Sequence, residues 1–110
     1  MRGVTQRDYS PEVAKKVFER MCEVSSKDLR VTVIFELFPL AKINSISNNA
    51  TAFNIRGLES NIMCITSWDG VDTPESAKAG RDAAYAMTDI IADAEKKPEI
   101  SKMRAYGNYG

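Results

Sequence analysis

The chain has 110 residues, 15 Lys and Arg against 15 Asp and Glu, and a formal net charge of zero, which predicts a single domain over residues 1–110 without the excess of cations that a phosphate backbone or an anionic membrane surface attracts. A hydrophobic share of 44% and a charged share of 27% are those of an ordinary globular protein, and no apolar run approaches the ~20 residues of a membrane helix. Histidine is absent, which removes the usual general base of a hydrolase triad and the commonest zinc ligand.

The first eight residues, Met1 to Asp8, carry an early charge with no apolar stretch behind it, so no secretory signal is expected there, and no regular element is predicted. Ser10-Pro11-Glu12 is a helix start: Ser caps free backbone donors, Pro suits the first helical position, and Glu favours the positive end of the dipole. Val13, Val17, Phe18 and Met21 follow at helical spacing, with Lys15, Lys16, Glu19 and Arg20 opposite, which predicts an amphipathic helix to about Val24.

Ser25-Ser26-Lys27-Asp28 breaks that helix, and residues 29–38 then alternate. Leu29, Val31, Val33, Phe35 and Leu37 form an apolar face, while Arg30, Thr32, Ile34, Glu36 and Phe38 form a mixed one, so the strand is expected to be buried on one side and to line a partly covered surface on the other. Pro39 ends it, because Pro donates nothing to a ladder. The Asn- and Ser-rich residues 41–51 are expected to hold a turn, with room for a short strand beside it. Two further strands are predicted over residues 52–56 and 61–68, joined at Gly57-Leu58-Glu59-Ser60 and closed by Asp69-Gly70.

Asp72-Thr73-Pro74-Glu75 begins a second helix. Its stripe, Ala77, Gly80, Ala84, Met87, Ile91 and Ala94, marks a buried face whose small residues let the helix approach a sheet closely, and Pro98 stops it after Lys96 and Lys97. The order of elements predicts an α+β fold: an antiparallel sheet of about three to four strands with two helices packed on one face.

Neither Gly-x-Gly-x-x-Gly nor a phosphate-cradling loop ending in Gly-Lys-Ser/Thr occurs, so the chain offers no standard nucleotide site. Cys22 and Cys64 stand in different elements and in no Cys-x-x-Cys pair; each is read as a small buried hydrophobe, with a single disulfide as the alternative. Asn49-Ala50-Thr51 is a glycosylation acceptor triplet that matters only in a secretory pathway. Metal ligation is not expected. Glu36, Lys42, Arg56 and Asn61 are polar candidates in or beside strands, and Trp68 is read as a core anchor at the end of its strand.

Phe35-Glu36-Leu37-Phe38-Pro39, the run Thr51-Ala52-Phe53-Asn54-Ile55-Arg56, Asn61-Ile62-Met63 continuing to Trp68, the long helix, and then Tyr106-Gly107-Asn108-Tyr109 resemble in order and spacing the substrate domain of berberine-bridge-like FAD-linked oxidases. The likeness covers about residues 31–109. It implies oxidation of a small organic substrate, such as an alcohol, a sugar or a natural-product intermediate, by hydride transfer to FAD. It also implies that Tyr109, the second Tyr of the Tyr-x-Asn-Tyr motif, is the catalytic base; Met63, at the family's flavin-facing position, is expected to bind substrate together with Asn61 and Glu36, which strand alternation could point into a cleft. Met63 stands where many plant members have Gln or Glu, Asn54 and Ile55 replace a Pro-His pair, and the family's final segment has no counterpart. The family holds its flavin chiefly through an N-terminal domain without a counterpart here, so the expectation is a chain that does not bind FAD alone and is inactive until joined to a flavin-binding portion. The alternative is a small-ligand or protein interaction module, dimeric if a second copy covers the exposed sheet. A third reading is a dimeric ferredoxin-like barrel, some of which oxidise phenolic products without a cofactor, and strand order discriminates it.

Overall fold

The computed structural model describes residues 1–47, 49–51 and 60–95. In chain order these form β1 (Arg2–Gln6), α1 (Pro11–Val24), β2 (Leu29–Glu36), the short α2 (Ala41–Asn44), β3 (Ser60–Trp68) and α3 (Pro74–Ala94). The result is the expected α+β architecture, with a three-stranded antiparallel sheet among the described residues. Its order is β1-β3-β2, and β3 runs antiparallel to both neighbours. The outer strands therefore run parallel to each other, joined through α1 and split by the strand inserted between them. This is the split βαβ arrangement.

Both long helices start as their sequences dictate. Ser10 accepts a hydrogen bond from the Val13 N–H at 3.3 Å ahead of Pro11. Thr73 and Ser76 form a reciprocal capping box ahead of Pro74, with the Ser76 N–H donating to Thr73 at 3.1 Å and the Thr73 N–H to Ser76 at 2.9 Å. Ser26 accepts from the Asp28 and Leu29 N–H groups, which turns the chain from α1 into β2.

Register assigns the faces. Opposite Leu29, Val31, Val33 and Phe35 stand Trp68, Thr66, Cys64 and Ile62, and opposite Cys64 and Ile62 stand Arg2 and Val4. This is the helix-covered face. Its Val4, Ile62 and Cys64 join Val13 and Val17 of α1 and Ala84, Met87 and Ile91 of α3 in the core, with Val31, Val33 and Phe35 packed at its margin. Gly80 lets α3 settle against the sheet: a Cβ there would lie 2.6 Å from Cζ3 of Trp68.

The structure corrects several expectations. Residues 2–6 form a strand that hydropathy did not reveal, because Val4 is the one large aliphatic residue among them and the strand exists by pairing with β3. Residues 41–51 hold turns as expected, but residues 41–44 add one helical turn where a short strand was the further possibility: Ala41 and Lys42 favour a helix, and the Asn44 N–H reaches the Leu40 carbonyl at 2.8 Å. The strand begun at Leu29 ends at Glu36, two residues early, leaving Leu37 and Phe38 exposed. Phe18 is exposed rather than buried, because the inward stripe of α1 is Val13, Val17, Met21 and Val24. Ala94 lies outside the buried stripe of α3. Cys64 is buried as expected, whereas Cys22 is exposed on α1, and both are free thiols. The strand expected over residues 52–56 lies outside the described residues. No helix among the described residues is long and apolar enough to cross a membrane.

Candidate functional site

The helix-free face of the sheet brings together the residues expected to meet substrate. Thr5, Asn61 and Glu36 form one cross-strand row, and Gly3, Met63 and Ile34 form the next. Direct neighbours in such rows have Cβ atoms about 4.5–5.5 Å apart. Asn61, Met63 and Glu36 are half-buried and Thr5 is fully buried, so this end of the face is a covered surface. An amide that both donates and accepts, a carboxylate that accepts, and a polarizable thioether wall suit the orientation of a hydroxyl or amine on a small organic molecule. Lys42 is exposed on α2. Tyr109 and Arg56 lie outside the described residues.

A flavin dinucleotide requires cations or converging N–H donors for its pyrophosphate. Among the described strand residues of this face the charges are Glu36 and, at the far end, Arg30, whose guanidinium is committed to Asp69 by two hydrogen bonds of 2.8 Å. The described residues of this face therefore do not fit a pyrophosphate. The Arg30 pair holds the Asp69 carboxyl below its ordinary range, chiefly through its hydrogen bonds and secondarily through its charge.

A second concavity lies on the helix side, where sequence reasoning placed nothing. A groove of about 460 Å³ runs between α3 and residues of β1 and β3. Its apolar lining includes Val4, Trp68, Gly80 and Ala84, and its polar lining includes Arg2, Thr66, Arg81, Tyr85, Asp89 and the buried Thr88. The Arg2 guanidinium lies 3.8 Å above the Tyr85 ring. Among the described residues neither Arg2, Arg81 nor Asp89 takes part in an ion pair. Arg81, Tyr85, Thr88 and Ala92 form a second helical stripe beside the core stripe, a signal that was legible in the sequence. Arg2 and Val4 were not, because β1 itself was not.

Cys64 lies beneath the helices, and burial pushes its thiol up to about 11, so it is no nucleophile at neutral pH. Among the described residues no group of three or more metal-ligating side chains converges. Comparison of the chain with protein-family models, with curated proteins and with solved structures finds no match in any of the three.

Proposed function

We propose that this chain is the substrate-side portion of a berberine-bridge-like FAD-linked oxidoreductase, its helix-free sheet face forming one wall of a compartment for a small organic alcohol, sugar or natural-product intermediate. The observation that supports the reading is the convergence of Glu36, Asn61 and Met63 on one covered stretch of that face. Asn61 and Glu36 would orient the substrate's polar group and Met63 would supply apolar contact. Tyr109 is the base under this proposal by family resemblance alone. The cofactor would come from a separate flavin-binding portion, without which the chain is inactive.

The test is the visible absorption of the purified chain before and after addition of FAD, followed by mixing with the flavin-binding portion of such an oxidase. The expected result is a colourless protein that takes up no flavin alone and forms a yellow, substrate-oxidising complex when mixed, with activity lost in Asn61→Leu. Stoichiometric FAD uptake by the chain alone, or no complex on mixing, overturns the proposal.

A second reading rests on the strand order. The split βαβ arrangement suits a ferredoxin-like interaction module, and Ile34, Leu37 and Phe38 present apolar surface on or beside the helix-free face. Elution volume that falls with concentration, and that Ile34→Glu abolishes, favours this module; a monomer at all concentrations counts against it.

A further inference from the structure

The groove on the helix side is independent of the substrate wall proposed above, since Arg2, Val4, Thr66 and Trp68 belong to the opposite face of the sheet. Its volume of about 460 Å³ falls within the range of roughly 300–1,000 Å³ typical of small-molecule sites. Its polar groups are unevenly placed. Arg81 and Tyr85 are one helical turn apart on α3, and the Arg2 guanidinium reaches across from β1 to lie over the Tyr85 ring, so both arginines line the same groove. A guanidinium that lies over a ring keeps its N–H donors at its edge, and that edge is the one that forks a carboxylate. Trp68 stands at the same end, its ring seated against Gly80, the residue before Arg81. Thr66 adds a hydroxyl beside it.

The far end differs. Asp89 lies two turns beyond Arg81 and repels a second negative charge, so the groove favours a monoanion over a dicarboxylate. Trp68 with Ala84 and Gly80 makes a flat apolar wall that suits a planar ring.

We propose that this groove binds a small aromatic monocarboxylate, its carboxylate held by Arg2 and Arg81 and its ring laid against Trp68. Trp68 is the sole tryptophan of the chain, so its emission reports the site directly. Benzoate is the probe, and benzamide, with the same ring and no charge, is its control. Benzoate should change Trp68 emission saturably, an effect weakened by added salt, while benzamide should bind at least about tenfold more weakly, the loss expected for one charge-assisted interaction. Arg81→Gln, at an exposed position that leaves the core intact, should cost about the same factor. Arg2→Lys, which keeps the charge without the fork, should weaken binding less than Arg2→Gln. The proposal is overturned if benzoate produces no saturable change, if benzamide binds as tightly, or if Arg81→Gln in a protein with unaltered circular dichroism retains the parent affinity.

Discussion

Two side chains show how local chemistry sets titration. Arg30 and Asp69 are both exposed, and their bidentate contact ties the start of β2 to the end of β3. Asp69 titrates below the ordinary carboxylate range because the guanidinium favours its charged form. A carboxyl depressed in the folded state adds stability that is present above its unfolded pKa and lost as pH falls through the folded value. Arg30→Gln should return the Asp69 midpoint, followed by NMR, to the ordinary range, and should lower the denaturation midpoint at neutral pH but not in strong acid. Because the pair is solvated, the effect is expected to be small. Cys64 has the opposite sign. Its thiol is raised to about 11 by burial, so the stability it contributes is full below the unfolded thiol's pKa of about 8.5 and is lost as pH rises toward the folded value. With a thiol reagent at pH 8, Cys22 should react at once and Cys64 only as the fold opens.

Among the elements, legibility follows how local the determinants are. The starts of α1 and α3 were readable because a cap, a proline and an acidic first turn are nearest-neighbour chemistry. The strand β2 was readable from alternation and β3 from a run of β-branched and apolar residues closed by Asp69-Gly70, where Gly70 adopts φ 97°. The strand β1 was not, since a strand of five residues with one large aliphatic, at the edge of the sheet among the described residues, is defined by its partner. Nor does periodicity separate Phe18 from Val17; only the position of α3 decides which of them points inward. The close approach of α3 to β3 depends on Gly80. Gly80→Ala forces the Trp68 ring to move, which costs about 1–3 kcal/mol as overpacking, and the alanine returns up to about 1 kcal/mol of helix propensity. A net loss of about 1 kcal/mol in urea unfolding, with a shift of Trp68 emission, is the expected outcome.

At the scale of the whole molecule one core joins all three described strands to the two long helices. Met87 and Ile91 are fully buried at its centre, against α1 on one side and the sheet on the other. Met87→Ala should destabilise by about 2–5 kcal/mol, measured as a lowered urea midpoint with an unchanged slope. That is a large share of the roughly 5–15 kcal/mol that holds a domain of ordinary stability. The same packing leaves the sheet two-faced. One face is covered by helices and flanked by the groove, and the other carries the Thr5, Asn61 and Glu36 row.

The sequence by itself determined the class of fold, the start of both long helices and the end of the first, the alternation of β2, and the placement of Glu36, Asn61 and Met63 in or beside strands. These rest on interactions between residues a few positions apart, which leave periodic traces in the chain. Only the tertiary structure decided the strand order, the existence of β1, the register that sets Asn61 opposite Glu36, and the meeting of Arg2 with Tyr85. Those depend on contacts between segments far apart in sequence, and pairing energy and burial select them without leaving a local periodicity to read.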